Sequence, residues 1–457
     1  MNSKIKLFSD FETVTSKQWK QLIQYDLKGA DYNETLVWES AEGIKVKPFY
    51  HSDEEIVAND FSKDSNSFRI LQPIFVHNVS LSNKRANETI SRGAESIAFT
   101  IENEECSISD LMENLPKEKN KYFFYLQFLS IDFVTKVNQF ATANNYEIKI
   151  QIDPINQLVS DGNWRKNQTQ DFQISKELLA NNSTSQCHVD ARIYQNTGAN
   201  KVQEIAFAIA QAFEYLNAGF TFNNPIVFQI SVGSNYFFEI AKLRALRLLY
   251  ATLAKEFGSN ETCEIIATPS KRNKTIYDYN INMLRTTTEC MSSILGGANY
   301  VCNLAYDALY HKDNEFGDRI SRNQLLILKN ESYFDQVKNP ADGSYYIETL
   351  TNQLAEKALL LFKEIEQKGG FISQLKEGAI QKKIQESAKK EQELFDSESE
   401  ILVGTNKFIN KTDRMAHDLE LFPFVKQNPR KTLIIPIIEK RLAEQLEKER
   451  LSQEKES

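Results

Sequence analysis

The stretch IVFQISVGSNYFFEIAKLRALRLLYATL, residues 226–253, shows the pattern that decides the fold of this chain. Residues 226–232 are mostly apolar and rich in β-branched side chains, which favours a strand covered on both faces. After Asn235 the pattern changes, and leucine or isoleucine returns every three or four positions, as in an amphipathic helix. The stretch is therefore predicted to be one strand followed by one helix.

The same strand–helix unit recurs along the middle of the chain. The strand candidates are Arg69–Val76, Ser96–Ile101, Tyr122–Phe128, Tyr146–Ile152, Cys187–Tyr194, Ile226–Val232, Glu264–Ala267 and Tyr300–Ala305. Eight such units over about 250 residues predict a closed (β/α)₈ barrel, the TIM barrel of the α/β class. A doubly wound open sheet is the alternative, but the first strand lacks the G-x-G-x-x-G turn of its dinucleotide-binding form.

An N-terminal arm, residues 1–50, is predicted ahead of the barrel. Thr15 and Gln18 have the spacing of a capping box, which opens a short amphipathic helix over Trp19–Leu27. The apolar face of this helix must be buried, so the arm either folds against its own barrel or wraps a partner protein. Short strands are predicted further along the arm, over Thr35–Trp38 and Ile44–Phe49.

The barrel is predicted over residues 51–340, and residues 341–457 are predicted to form a C-terminal helical extension with a charged tail. The pair Gly369-Gly370 marks the end of the first helix of the extension, because glycine is common just after a helix. The predicted elements of the extension are helices over Thr349–Lys368 and Ile372–Phe395, a strand over Ile401–Val403, and a frayed end beyond Arg450.

The composition and charge exclude several classes of protein. The chain has 457 residues, of which 54 are basic and 62 acidic, and its net charge of −8 offers no electrostatic footprint for DNA or RNA. Its first residues lack the apolar run of a signal peptide, and no stretch approaches the ~18 apolar residues of a membrane span. The five cysteines have no C-x-x-C spacing, which indicates buried thiols in a reducing compartment. We therefore expect a cytoplasmic protein.

Few reactive side chains fall at the predicted mouth of the barrel, where the strands end and the active sites of such barrels lie. Of the five histidines, only His77 directly follows a strand candidate, whereas His188 falls early in one, which favours a place in the core. No two histidines have the spacing of metal ligands, and no nucleophile stands near a base. The residues therefore predict neither a metal site nor a catalytic pair.

Five runs of sequence, in this order and at these distances, resemble one family of enzymes. They are residues 236–247 (YFFEIAKLRALR), residues 285–297 (RTT at the start and GG at the end), residues 319–324 (RISRNQ), residues 342–348 (DGSYYIE) and residues 396–407 (DS at the start and VGTNK at the end). The resemblance is to the cobalamin-dependent acyl-CoA mutases, and to the methylmalonyl-CoA mutases in particular. It covers roughly residues 30–410.

The resemblance implies an N-terminal arm, a substrate-binding (β/α)₈ barrel and a flavodoxin-like domain that binds cobalamin. The family's cobalt-binding histidine lies in a D-x-H-x-x-G motif, which does not occur in this sequence. Only about 50 residues follow Lys407, too few for a doubly wound domain. We therefore expect no cobalamin-binding domain, and no cofactor-binding or metal-binding residue, in this chain.

The barrel also departs from the active members of the family. Their S-G-Y-H-x-x-E-A-G-A run places a histidine against the substrate thioester, whereas the matching run here, residues 191–199, has Ile193 in that place. Isoleucine can neither donate a hydrogen bond nor titrate. An R-G-P-Y tyrosine of the family is also missing from residues 60–67. The resemblance therefore implies no catalytic residue, and it leaves four residual positions at the barrel mouth: Ile193, Tyr194, Asn235 and Glu348.

This combination is similar to the small, non-catalytic subunit of heterodimeric members of the family. In such an assembly a large subunit carries adenosylcobalamin and the complete site, which interconverts methylmalonyl-CoA and succinyl-CoA. We expect this chain to be inactive alone, to pair with a large subunit as a heterodimer, and to wrap its arm around that partner. Two alternatives stay open. One is the substrate-binding half of a split acyl-CoA mutase that works with a separate cobalamin-binding protein, and the other is a protein that binds acyl-CoA without chemistry.

Overall fold

Parallel strands close into an eight-stranded barrel at the centre of the computed structural model, which describes residues 10–54, 67–222, 224–425 and 429–456. Each strand pairs with its neighbours in chain order, and the last pairs with the first. The predicted TIM barrel is confirmed. The strands are β1 (Trp38–Glu39) and β2 (Lys45–Val46) in an antiparallel hairpin of the arm, and β3 (Arg69–Val76), β4 (Ser96–Ile101), β5 (Lys121–Leu126), β6 (Ile148–Ile152), β7 (Ser185–Asp190), β8 (Ile226–Val232), β9 (Cys263–Pro269) and β10 (Tyr300–Val301) in the barrel.

Helices cover the outside of the barrel. In the described ranges they are α1 (Ser16–Asp26), α2 (Tyr32–Leu36), α3 (Val79–Ser91), α4 (Ile108–Leu111), α5 (Ile131–Asn144), α6 (Pro154–Asp161), α7 (Gln168–Asn181), α8 (Arg192–Thr197), α9 (Lys201–Asn217), α10 (Tyr236–Glu256), α11 (Ile281–Leu295), α12 (Glu315–Asn330), α13 (Tyr345–Gln367), α14 (Phe371–Lys376), α15 (Ala379–Asp396) and α16 (Glu444–Glu456). α13 packs against α9 and α10, so the C-terminal extension adds to the helical layer. None of these helices is long and apolar enough to cross a membrane.

The strand predicted over Cys187–Tyr194 is only partly right. β7 ends at Asp190, and Arg192 begins the short helix α8. The Asp190 carboxylate accepts hydrogen bonds from the Arg192 backbone N–H at 3.2 Å and from its guanidinium at 2.8 and 2.7 Å, which favours a turn over a continued strand. α8 ends at Thr197 and is followed by Gly198, whose φ of 107° suits glycine because it has no Cβ.

One predicted strand of the arm is a helix in the structure. The capping box of Thr15 and Gln18 is present, and α1 begins at Ser16. The strand predicted over Thr35–Trp38 is wrong in its first half, because those residues belong to α2. The Asp31 side chain caps α2 by accepting from two backbone N–H groups at 2.8 and 2.9 Å.

The C-terminal extension differs from its predicted elements in three places. The helix predicted over Ile372–Phe395 is divided into α14 and α15, because Gly378 (φ 75°) interrupts it. Residues 401–403 contribute a single bridge instead of a strand. The tail beyond Arg450 is helical, and Leu451 of α16 is buried. A buried leucine explains why the helix continues, since burial of an apolar side chain offsets the loss of chain entropy.

The lower part of the barrel interior is filled by side chains. Phe123 and Tyr300 contact each other edge to face, with ring centroids 4.9 Å apart, and other apolar residues of the strands pack around them. At the N-terminal end of the strands, the Lys121 ammonium pairs with the Glu264 carboxylate at 2.9 Å. Below the mouth, the interior of the barrel is therefore filled by side chains of its own strands.

A buried group of charged side chains joins β8, α9 and α10. The Lys242 ammonium lies 2.7 Å from a Glu204 oxygen and 2.5 Å from a Glu239 oxygen. It also donates to the Ser231 carbonyl at 2.6 Å. The three charged side chains are at most 1% exposed. Because each ion has left water, the group is stable only while opposite charges face each other.

The hairpin of the arm is tied to this charged group through Glu42. The buried Glu42 carboxylate accepts from the Lys201 backbone N–H at 3.3 Å, at the first residue of α9. Its other contact is the Lys201 ammonium at 3.7 Å, which in turn lies 3.7 Å from Glu239. A carboxylate at a helix N-terminus is also favoured by the helix dipole. These contacts give the hairpin a fixed place on the barrel.

Replacement of Lys242 by methionine is expected to destabilise the protein strongly. Lys242→Met leaves Glu204 and Glu239 buried without the cation between them, and removal of one partner of a buried ion pair costs about 3–5 kcal/mol. Urea unfolding measures the free energy of unfolding. Lys255→Met, at the exposed last turn of the same helix, is the matched control and should cost less than about 1 kcal/mol. Equal stability of the two variants would contradict the buried charge group.

Candidate functional site

The C-terminal part of the chain lies across the mouth of the barrel. We name residues 430–443 the strap. The Leu433 N–H donates to the Gly162 carbonyl at 3.0 Å, just after α6, and the Lys440 N–H donates to the Asn196 carbonyl at 3.0 Å, in α8. The strap therefore crosses the mouth from the segment that follows β6 to the segment that follows β7.

The side chain of Asn196 fastens the strap to the loops beneath it. Its carboxamide oxygen accepts from the Ser231 and Ser270 hydroxyls at 3.1 and 3.0 Å and from the Lys271 N–H at 3.0 Å. Its Nδ2–H donates to Glu439 of the strap at 2.8 Å. Asn196 is 3% exposed. Both the acceptor end and the donor end of this buried side chain are therefore used in closing the mouth.

Two arginines hold the far end of the strap. Arg272, which follows β9, donates to the Lys440 carbonyl at 2.6 Å and pairs with Glu391 of α15 at 2.8 Å. Arg441 of the strap pairs with Glu447 of α16 at 2.6 Å, and both of these side chains are buried. Charge-assisted hydrogen bonds of this kind are about twice as strong as neutral ones. The strap is therefore bonded to the protein along its whole length.

Two adjoining cavities remain under and beside the strap. The larger, of about 600 Å³, lies between Arg192, Ile193 and Asn196 on the barrel side and Glu439 on the strap side. The smaller, of about 490 Å³, extends into the barrel between β5, β6 and β7. Both cavities border Asp190. The mouth therefore keeps a space of the size of a small-molecule site, which the strap borders on one side.

Two of the residual positions predicted from the sequence are neighbours in α8 but face different environments. Ile193 is half-buried and lines the larger cavity. Tyr194, predicted at the mouth, lies instead in the helical layer between Phe207 and Phe371 and donates its hydroxyl proton to Gln211 at 2.8 Å. The reason is that residues one step apart in a helix point about 100° apart.

The other two predicted positions, Asn235 and Glu348, line neither cavity. Asn235 is half-buried at the start of α10, where its backbone carbonyl accepts from the Glu239 N–H at 2.9 Å. Glu348 of α13 pairs with Arg244 of α10 at 2.6 Å, and both side chains are buried. This carboxylate therefore serves the contact between two outer helices.

His77, the histidine predicted at a strand end, adds no reactive group to the mouth. It follows β3 as predicted, but its side chain is 89% exposed and lies 3.9 Å from Glu102. The run from residue 60 to residue 67, in which the family's R-G-P-Y tyrosine is missing, lies outside the described residues except for Ser67.

Sequence reasoning missed the charged pair at the centre of the mouth, Asp190 and Arg192. Burial raises the pKa of Asp190, but the Arg192 guanidinium outweighs burial and holds this pKa below its usual value. The two side chains share two hydrogen bonds and neutralise each other. A signal was present in the sequence, because Arg192 stands where the active family run has its tyrosine.

His188 is a core histidine, as its early place in the strand indicates. It is 3% exposed, and its Nδ1 lies 3.7 Å from an oxygen of Asp153. Burial lowers the pKa of His188 to about 4 and raises the pKa of Asp153 to about 7. The imidazole is therefore uncharged at neutral pH. Asp153 also accepts from Tyr215 at 2.5 Å and Gln211 at 2.7 Å, which fixes it against α9.

The described residues do not fit the cobalamin of the resembling family. Among them, no three His, Cys, Asp or Glu side chains are grouped as metal ligands. Both ring nitrogens of His311 already face carboxylates, Asp307 at 3.2 Å and Asp418 at 3.3 Å. The strap also occupies part of the mouth, beside the segments that follow β6 and β7.

Known proteins with similar sequences fall in one family. The family model described as methylmalonyl-CoA mutase matches residues 125–448. The chain is 33% identical over 449 residues to the methylmalonyl-CoA mutase small subunit of Porphyromonas gingivalis, and the alignment covers 90% of this chain and 72% of that protein. It is 34% identical over 225 residues to the large subunit of the same organism, covering 47% of this chain and 32% of that protein. It is 35% identical over 246 residues to the methylmalonyl-CoA mutase of Rhizobium meliloti, covering 51% of this chain and 34% of that protein.

The fold and the mouth define a (β/α)₈ barrel protein whose mouth is crossed by its own C-terminal segment. The matched residues include β6 to β10 and most of the extension. The chain belongs to the methylmalonyl-CoA mutase family. It spans about one third of the length of the Rhizobium meliloti mutase and of the Porphyromonas gingivalis large subunit.

Exchange of Asn196 for aspartate is expected to release the strap. Asn196→Asp removes the N–H that donates to Glu439 and places a second carboxylate 2.8 Å from it. Hydrogen exchange of the amides of residues 433–442 should become about tenfold faster or more. Asn200→Asp is the matched control, because aspartate caps α9 as well as asparagine does. Unchanged exchange in Asn196→Asp would mean that Asn196 does not hold the strap.

Proposed function

We propose that this chain is the non-catalytic small subunit of a heterodimeric methylmalonyl-CoA mutase. The assembled enzyme interconverts methylmalonyl-CoA and succinyl-CoA, and the large subunit supplies adenosylcobalamin and the reactive site. The similarity to a protein named as a small subunit, over 90% of this chain, supports the proposal. The same organism has a protein named as the large subunit, which this chain also resembles.

The strap across the mouth, together with the self-neutralised pair beneath it, is the observation that carries the non-catalytic part of the proposal. Substrates and cofactors reach the centre of a (β/α)₈ barrel from the C-terminal ends of its strands. Here the strap lies over those ends and is bonded to Asn196 and Arg272. Beneath it, the Asp190–Arg192 pair is self-neutralised, and Ile193 offers no hydrogen bond to a thioester. The strap therefore narrows the mouth on one side, and the residues beneath it offer no free reactive group at these positions.

The arm supports the partner part of the proposal. α1 buries none of its residues, and Trp19, Leu22 and Tyr25 are 46, 50 and 81% exposed. An apolar helical face in water is typical of a surface that another protein covers. The hairpin that follows α1 is fixed on the barrel through Glu42. The exposed helix is therefore held at a defined place, which favours the wrapping of a partner.

A variant of the arm tests the predicted heterodimer. The tagged chain, produced together with its large subunit, is expected to purify as a one-to-one complex. Leu22→Lys places a charge on the exposed apolar face of α1 and should weaken the complex about tenfold or more. Leu81→Lys, at a 68% exposed position of α3, is the control and should leave the affinity unchanged. Equal loss of affinity in both variants would argue against binding through the arm.

Turnover measurements test the division of labour between the subunits. The chain alone, given adenosylcobalamin and methylmalonyl-CoA, is expected to form no succinyl-CoA, whereas the complex with the large subunit forms it. Turnover by the chain alone would overturn the proposal. Turnover with an isolated cobalamin-binding protein, in the absence of a large subunit, would establish the alternative, the substrate-binding half of a split mutase.

A further inference from the structure

The smaller of the two cavities has unusual walls. Its volume of about 490 Å³ suits a small organic molecule together with water. It is lined on one side by Thr100, Tyr125, Gln151 and His188, which belong to four successive barrel strands, and on the other by residues of α6 and α7. These strand residues lie near the mouth, above the aromatic layer of Phe123 and Tyr300 that fills the barrel axis.

Polar atoms on this wall lack hydrogen-bond partners within the protein. They are the Tyr125 hydroxyl, Gln151 Oε1, Ser175 Oγ and His188 Nε2. Gln151, Ser175 and His188 are 7, 0 and 3% exposed. Polar groups this deeply buried are almost always hydrogen-bonded in folded proteins, to the chain, to water or to a ligand. Several such atoms around one cavity indicate a hydrogen-bonding guest.

The charges on the wall disfavour an anion. Three carboxylates line the cavity, those of Asp153, Asp171 and Asp190, and Asp190 is neutralised by Arg192. The Arg165 guanidinium faces Asp171 and donates to backbone carbonyls. Each arginine at the cavity is therefore already matched by a carboxylate, and none is left to pair with the carboxylate of an acyl group.

The free groups on the wall are uncharged at neutral pH and match hydroxyl groups. Gln151 donates through Nε2 to Gln186 at 3.1 Å, so its Oε1 is an acceptor that needs a donor. The hydroxyls of Tyr125 and Ser175 can donate or accept. A molecule with several hydroxyl groups supplies both roles at once.

We propose that this cavity is a binding site for a small, uncharged molecule with several hydroxyl groups. The proposal goes beyond the role of a non-catalytic subunit and does not depend on it, because it rests on the walls of the barrel alone. The site is distinct in chemistry from one for an acyl-CoA, since it offers neutral acceptors and hydroxyls instead of a cation for a carboxylate.

Saturation-transfer NMR on the full chain tests the proposal with xylitol and xylonate as probes. Xylonate has the same carbon chain as xylitol with a carboxylate at one end, so it is the matched anionic probe. Transfer is expected to xylitol and not to xylonate. Tyr125→Phe removes one wall hydroxyl and should weaken xylitol binding about threefold or more. Tyr25→Phe, at an 81% exposed position of α1, is the control and should bind like the original chain.

Each contrary result overturns a defined part of the proposal. Absence of transfer to xylitol, or equal transfer to xylonate, would overturn the class of ligand. Equal binding by Tyr125→Phe and Tyr25→Phe would overturn the location. Circular dichroism checks that Tyr125→Phe folds, and Ser175→Ala, which removes another wall hydroxyl, takes its place if it does not.

Discussion

The shape of the mouth depends on the hydrogen bonds made by the carboxamide of Asn196. Its oxygen accepts from Ser231 of β8 and from Ser270, which follows β9, and its N–H donates to Glu439 of the strap. The active run that this sequence resembles has a glutamate at the same place. An ionised glutamate offers only acceptors and would repel Glu439. A side chain that both donates and accepts is therefore what allows the strap to dock over the barrel.

Opposite charges are paired inside the protein rather than left free for a ligand. Lys242 is enclosed by Glu204 and Glu239, Arg192 by Asp190, and the outer helices α10 and α13 share the Arg244–Glu348 pair. Such pairs add little net stability compared with apolar packing, but removal of one member strongly destabilises the protein because the other charge stays buried without a partner. They consequently fix geometry: the arm hairpin on α9, the start of α8 at the mouth, and the extension on the barrel.

The sequence predicted the barrel well because the signal of a buried parallel strand is local. The bounds of β3, β4 and β8 agree with the strand candidates, and Ile193 lies at the mouth. The sequence misplaced Tyr194 and Glu348 because the positions of these side chains depend on contacts elsewhere. The partner of Glu348 is 104 positions away, and no spacing rule joins Arg244 to it. The end of β7 was missed for a related reason, since an Asp190–Arg192 bond turns the chain where the apolar pattern continues.

The sequence by itself determined the barrel, the amphipathic arm and the presence of isoleucine at position 193, where the run that it resembles has a histidine. These properties follow from hydrophobic periodicity and from the identity of single side chains, both of which can be read along the chain. Only the tertiary structure decided that the strap crosses the mouth. The strap contacts residues that are far away in the sequence. Lys440 of the strap and Arg272, for example, are 168 positions apart. The packing of the whole chain decides which distant donor bonds to which acceptor, and the local sequence pattern does not reveal these pairs.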